Sequence, residues 1–395
     1  MRFLLLTFIV VSFSSCYLFR AYKMRHLRLE DYDKVPTVSI LQSAVPFQYI
    51  NAAEAAENKD LAAYLDSNLA KSLTAAFLVI RNDSILYERY FDGFSRQSLL
   101  PSFSVAKSFV GTLMGIAIQE GIIKSTSEPI TTYLPELMKR DPSFSKITIQ
   151  HLLDMRSGLK WNEGVYNLKD DAIKLGFRPN VLKHTLKLNI AGEPGKIFKY
   201  QSINTELLAL IIERASGKKV SAYLQEKLWQ PLGAESGATW SVDSKKRKQE
   251  IAFAGLNATA RDFAKIGTLY LHNGVWNNHQ ILSNEWIEAV ADRNHLYQSG
   301  GYKNQWWSKN LYRSFSDSSA AVKFKNANAY SGLVRKQGSS YRVGYQTEAF
   351  SAQGLLNQVI YINPKNKVVI VRLGHNWYHP TMYTDGFIYS LGDRL

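Results

Sequence analysis

The stretch Pro101-Ser-Phe-Ser-Val-Ala-Lys-Ser-Phe-Val110 decides the reading of this chain, because it places Ser104 and Lys107 where an apolar helix begins. A serine hydroxyl is a weak nucleophile at neutral pH and needs a base beside it. Residues three apart on a helix share a face, so Lys107 is expected next to Ser104. The free N–H groups and the dipole of a helix N-terminus favour developing negative charge at the same place. A serine that merely caps a helix suits this position equally well, and from the pattern alone both roles fit.

Ser-x-x-Lys recurs at Ser143, Ser157 and Ser216, so context has to choose. Ser216 precedes Gly217 at the end of the helical run 206–215, which predicts a C-cap. Ser157 precedes Gly158 and reads as a turn. Ser143 follows Pro142 and leads into Ile147-Thr-Ile149, a loop before a short extended segment. Only Ser104 opens a long apolar helix, predicted over 105–120 and stopped by Gly121.

Outward from this helix, alternating strands are predicted over 75–81 and 84–90, split by the hairpin signal Asn82-Asp83. Residues 122–237 are mostly helical, with clear runs at 150–156, 205–215 and 220–228. A further helix is predicted over 257–271, opened by Asn257, and a short one over 286–291. The chain then returns to strands at 341–347, 358–362 and 367–373, the last two joined by Asn363-Pro-Lys-Asn366. Strand pairs from both chain ends enclosing a helical insert predict an antiparallel sheet with a helical subdomain beside it. The expected organisation is an N-terminal segment 1–20, a tether and lead-in over 21–74 with an amphipathic helix at 52–69, and a catalytic domain over 75–395 whose helical part is about 122–237.

The chain has 395 residues, ample for one large domain or two smaller ones. Its single cysteine, Cys16, rules out an internal disulfide and a cysteine metal cluster. The net charge of +15 is dispersed, and its one cluster, Lys245-Lys-Arg-Lys248, reads as a solvated loop, so no nucleic-acid partner is expected. Residues 3–19 are almost wholly apolar, preceded by Arg2 and followed by Arg20, Lys23, Arg25 and Arg28. Three readings fit: a cleaved secretory signal, a lipoprotein signal with Cys16 lipidated, or an uncleaved anchor. All three imply export, and retention at the membrane, facing the periplasm within the cell envelope, is the favoured expectation.

Two further runs carry candidate chemistry. Glu193-Pro-Gly-Lys-Ile-Phe-Lys-Tyr-Gln-Ser-Ile-Asn204 puts Tyr200 and Ser202 in a polar loop before a helix starting near Thr205. A phenol beside an ammonium is drawn toward phenolate and can pass protons, although a buried tyrosine with a satisfied hydroxyl fits as well. Ala349-Phe-Ser-Ala-Gln-Gly-Leu355 ends in a glycine that lets a backbone approach a ligand and offer an N–H, or that simply bends a strand start. Trp161, Trp306 and Trp307 suit either a cleft wall or core packing. His375 and His379 have no acid between them and Pro380 follows, so no metal site is expected. No Gly-x-Ser-x-Gly elbow and no phosphate-binding glycine loop occurs.

Ser104-Val-Ala-Lys107, Tyr200-Gln-Ser202 and Ala352-Gln-Gly354 follow the order and spacing of the three active-site motifs of serine β-lactamase-like hydrolases, and the chain resembles that family over about 75–380. The resemblance extends to class C β-lactamases, penicillin-binding carboxypeptidases and family VIII esterases. Gly255–Leu271, Trp161-Asn-Glu163 and the Gln305-Trp-Trp307 region resemble 6-aminohexanoate-dimer hydrolase-like proteins in particular. The resemblance implies an α/β (α+β) fold of the β-lactamase/transpeptidase type, an antiparallel sheet flanked by helices with an all-helical subdomain.

It implies Ser104 as the acylated nucleophile, Lys107 as proton acceptor and Tyr200 as proton relay. It places the oxyanion between the N–H groups of Ser104 and of Leu355 beside Gly354, and it lines the substrate with Ser202, Trp161 and Gln353. No cofactor and no metal is implied. The expected function is hydrolysis of amide or ester bonds of a small molecule through an acyl-enzyme; the alternatives are a non-catalytic binding module of the cell envelope and a D,D-carboxypeptidase or β-lactamase. Two departures stand out. Ser202 stands where many relatives carry Asn, and Ala352 and Gln353 replace the usual Lys or His and Thr or Ser, removing a cation aimed at a substrate carboxylate.

Overall fold

The computed structural model describes residues 28–164, 169–292, 301–327, 331–377 and 384–395. Contacts among them divide the chain into two compact units. The first is Phe94–Asp262 with the chain up to Gln48, and the second is Tyr49–Gly93 with Phe263–Leu395. The stretch 122–237 falls wholly within the first unit, whereas the expected tether contributes to both.

The first unit has a four-stranded antiparallel sheet in the order Thr37–Ile40, Ala238–Ser241, Leu256–Ala258, Leu100–Pro101. Beyond Pro101 a tight 3-10 turn, Phe103–Val105, leads into the helix Ala106–Gln119. Residues of this helix are buried on every side, as expected of a helix that is apolar all round. It packs against the helix Ser202–Ser216, whose first eleven residues are buried. That second helix ends as predicted, with Gly217 left-handed at φ 71°.

A larger sheet of nine strands organises the second unit. Its path runs Tyr302–Lys303, Trp306–Phe315, Ser340–Gly354, Gln358–Asn363, Val368–Gly374, Thr74–Arg81, Ser84–Tyr90, and ends at Ile50–Asn51, which pairs parallel to Ser84–Tyr90. The predicted hairpin is present, with Asn82 and Asp83 both left-handed, as a two-residue turn between twisted strands requires. Strands Thr74–Arg81 and Val368–Gly374 are buried on both faces. One face meets Leu65 and Leu69 of the helix Lys59–Leu69 together with Phe387, Ile388 and Leu391 of the helix Thr384–Arg394. Toward the other face, Gly267 comes so close to Val369 that an added methyl would lie 2.7 Å from its side chain.

Several boundaries depart from the sequence reading. Asn257 does not open a helix. It lies in the strand Leu256–Ala258, and its amide donates to Thr239 Oγ1 and to the Gly255 carbonyl. The helix begins at Ala260, with Thr259 Oγ1 accepting from the Asp262 N–H. The expected extended segment is confined to Ile147 and Thr148, which bridges antiparallel to Pro129; Thr148 then accepts from the His151 N–H and caps the helix Ile149–Leu153. The helix expected over 52–69 begins only at Lys59. The strand expected over 341–347 runs from Ser340 to Gly354, so Ala352, Gln353 and Gly354 lie within it, directly ahead of the paired strands Gln358–Asn363 and Val368–Gly374. Its partners Trp306–Phe315 and Ser331–Gln337 carry no regular alternation in sequence.

Candidate active site

Strand Leu100–Pro101 is the edge from which Ser104 is presented. Its pairing with Asn257 and Ala258, continued by the Ser102 N–H donating to the Leu256 carbonyl at 2.9 Å, fixes the chain just before the serine. Phe103 holds φ +44°, a left-handed conformation costly for a bulky residue, which turns the backbone sharply at the position before Ser104. Ser104 itself makes no capping bond. Lys107 Nζ donates to its Oγ at 2.9 Å, so the hydroxyl engages the lysine and does not cap the helix.

Lys107 is 1% exposed. Its ammonium has two hydrogen-bond acceptors, Ser104 Oγ and the Phe253 carbonyl at 3.1 Å, and it lies 5.1 Å from the centre of the Tyr200 ring. No carboxylate pairs with it directly among the described residues. Burial pushes it down to about 8, against the opposing charges of Glu163 and Glu206. A lysine so placed changes protonation near neutral pH, within proton-transfer distance of the serine.

Tyr200 and Ser202 flank the start of the Ser202–Ser216 helix. The segment before it is pinned to the loop at Leu159–Trp161: Lys199 Nζ donates to the Trp161 carbonyl at 2.6 Å, and the Gln201 amide donates to the carbonyls of Leu159 and Trp161. Ser202 was expected to face the reacting group. Its hydroxyl instead donates to Glu163 Oε1 at 2.6 Å, and its N–H donates to Glu163 Oε2. Trp161 is 9% exposed, with Nε1 donating to the same carboxylate at 2.9 Å. Asn204 does not replace an active-site amide either; it is fully buried, with Nδ2 on the Met155 sulfur.

Ser104, Lys107, Tyr200, Ser202 and Trp161 are thus gathered in the first unit. Gln353, Gly354 and Leu355 belong to the second. Gln353 donates to Ser351 Oγ at 3.0 Å, Gly354 pairs with Gln358 at the end of the long strand, and Leu355 opens a short turn. Trp306 is core, its indole N–H donating to the Tyr270 hydroxyl at 3.0 Å. Of the histidine pair, His379 lies outside the described residues. Of the other Ser-x-x-Lys serines, Ser216 back-bonds to the Ile212 carbonyl, Ser143 sits in a turn capped by Asp141, and Ser157 is buried, its hydroxyl without a partner among the described residues.

Three contributors escaped the sequence reading. The Phe253 carbonyl carries no side-chain signal. Glu206 is buried and pushed up to about 8 by desolvation, and it accepts from the Ala252 N–H at 2.9 Å, steadying the turn that offers the Phe253 carbonyl. Its signal is positional: it stands three residues after Ile203 and four before Leu210, on the buried stripe. Glu163 lay within a quoted motif but had no role assigned.

The beta-lactamase family model matches residues 61–387. The 6-aminohexanoate-dimer hydrolase of Paenarthrobacter ureafaciens is 31% identical over 265 residues, covering 62% of this chain and 66% of that protein, just under two thirds of its length. Among solved structures, the “Putative 6-aminohexanoate-dimer hydrolase from Bacillus anthracis” superposes with a TM-score of 0.68 at 26% identity, covering 91% of this chain and 90% of that one. A class C beta-lactamase shares the fold, with a TM-score of 0.57 at 15% identity over 85% of this chain and 96% of its own. The chain belongs to the beta-lactamase family.

Proposed function

We propose that this protein is a serine hydrolase that cleaves amide or ester bonds of a small molecule through an acyl-enzyme on Ser104. One observation carries the reading: the buried Lys107 ammonium, with no paired carboxylate among the described residues, is hydrogen-bonded to Ser104 Oγ at 2.9 Å. In its neutral form Lys107 takes the Ser104 proton as Oγ attacks the substrate carbonyl. The N–H of Ser104, in the first turn of a helical segment, stabilises the oxyanion. Tyr200 returns a proton to the departing nitrogen or oxygen, and the same groups in reverse activate the water that releases the acid. The relatives' names favour a linear amide of the 6-aminohexanoate-dimer type as the first substrate to try. Ala352 in place of the usual Lys or His, which leaves no cation there for a substrate carboxylate, argues against efficient turnover of penicillins.

The test is labelling and turnover together. A fluorophosphonate probe is expected to modify Ser104, and hydrolysis of p-nitrophenyl butyrate and of 6-aminohexanoate dimer is expected to disappear in Ser104→Ala. Retained hydrolysis in that variant overturns the proposal. Slow labelling by penicillin with no turnover of any ester or amide would favour a binding module.

We also propose that the protein is exported and held at the membrane. The apolar run 3–19 with its basic flanks supports this. It lies outside the described residues, among which no helix is long and apolar enough to cross a membrane. Fractionation of cells expressing the wild type and Cys16→Ala tests it: release of only the variant from membranes indicates lipid attachment, and wild-type protein in the cytosol refutes export.

A further inference from the structure

Glu163 is the acidic group best placed to act on this site without touching substrate. Its two oxygens take three donors: the Ser202 N–H at 2.5 Å, the Ser202 hydroxyl at 2.6 Å and the Trp161 indole N–H at 2.9 Å. All three donors are neutral, and among the described residues the carboxylate makes no ion pair. Two of them belong to the first residue of the Ser202–Ser216 helix, where unsatisfied N–H groups and the dipole favour an anion. The carboxylate therefore fixes the start of this helix, two residues after Tyr200. It also leaves its charge facing the nearby Lys107, whose other neighbours are Ser104, Tyr200, the Phe253 carbonyl and Glu206. Of the cations at this loop, Lys199 is engaged with the Trp161 carbonyl and Lys160 is exposed.

We propose that Glu163 is the positioning residue of the active site, clamping the Ser202 helix start so that Tyr200 stays against Lys107 and providing the negative charge that Lys107 faces. The proposal rests on the reading of Ser104, Lys107 and Tyr200 as the reacting groups. It assigns Ser202 a role different from that of a substrate-facing side chain: the serine is the handle by which Glu163 grips the helix. The Trp161 indole and the Ser202 N–H share Oε2 while the Ser202 hydroxyl holds Oε1, so a rotation of the carboxylate breaks all three bonds at once.

Glu163→Gln is nearly isosteric but presents an NH2 group to one of the three donors and removes the charge. In that variant kcat is expected to fall on the order of ten- to a hundredfold, as for a small misplacement of reacting groups, with KM changed less than about threefold. Burial then acts on Lys107 with less opposition, so the acid limb of kcat/KM moves to lower pH. Glu163→Asp keeps the charge and shortens the reach: kcat falls while the limb stays. A Glu163→Gln enzyme with wild-type kcat and an unmoved limb overturns the proposal. Should that variant fail to fold, Ser202→Ala decides: a several-fold lower kcat with an unmoved limb supports the clamp, and an unchanged kcat overturns it. Fluorophosphonate labelling separates the two levels. An unlabelled wild-type Ser104 defeats the underlying mechanism, whereas a labelled, active wild type with an indifferent Glu163→Gln defeats this inference alone.

Discussion

Each of the two units buries a cation. In the second, Arg372 is fully buried and its guanidinium donates to six acceptors: Thr74 Oγ1 and the carbonyls of Ser72, Leu73, Leu356, Asn357 and His375. These sit at the ends of neighbouring strands and in the turn between two of them, so the arginine ties the sheet end together. In the first, Lys107 has only Ser104 Oγ and the Phe253 carbonyl as acceptors among the described residues. Burial pushes both groups down, Arg372 to about 9 and Lys107 to about 8. The difference lies in coordination. A guanidinium offers five donors in a rigid fork and keeps its charge, so saturating it with carbonyls makes architecture. An ammonium left short of acceptors is easily deprotonated, and a hydroxyl beside it then has a base.

The comparison breaks most sharply at Lys107. Lys107→Met should lower kcat/KM by about 10²–10⁴-fold, the range for loss of a positioned general base. Thermal unfolding should hold or improve, since an under-coordinated buried charge gives way to an apolar side chain of similar length. Loss of fold together with activity would place Lys107 in the same class as Arg372. The reverse pattern is expected for Arg372→Met, where six acceptors lose their donor. Urea denaturation should show a loss of about 3–5 kcal/mol, while the fluorophosphonate reactivity of whatever protein remains folded is retained.

The pH profile sharpens the contrast. With its ammonium at about 8 rather than the usual 10.5, Lys107 gives a kcat/KM that rises with pH, passes its midpoint near 8 and levels above it. A profile flat from pH 6 to 9 would remove Lys107 as the base. Glu206 offers a smaller effect on stability. Its carboxyl is raised in the folded state from 4.5 to about 8, so its contribution is fully present below pH 4.5 and is lost as pH rises toward 8. Glu206→Gln should flatten the pH dependence of the melting temperature across that window. The smallest change is expected from Ser143→Ala and Ser216→Ala, which should leave both labelling and turnover as in the wild type.

Much of this was legible in order. Ser104 and Lys107 were singled out by the helix that follows them, and Gly217 and Gly158 disqualified two rivals. The hairpin at Asn82-Asp83 was legible because its turn needs left-handed residues. The strand Trp306–Phe315 and its neighbour Ser331–Gln337 were missed because their side chains do not alternate cleanly, their place being set by partners on the long Ser340–Gly354 strand. Asn257 was misread because an asparagine ahead of an apolar run is a helix-start signal, whereas its pairing with Pro101 on one side and Thr239 on the other, with its amide on the Thr239 hydroxyl, keeps it extended.

Local sequence determined what depends on near neighbours: the Ser104–Lys107 spacing, the helix that carries it, the hairpin and the C-cap at Gly217. Their physics acts within one turn of chain. Only the tertiary structure decided which groups share the lysine's surroundings. Phe253, 146 residues away, supplies a carbonyl, and Glu163, 39 residues before Ser202, supplies the carboxylate. Burial and charge act through space, and a buried ammonium takes its acidity from whichever groups the fold brings to it.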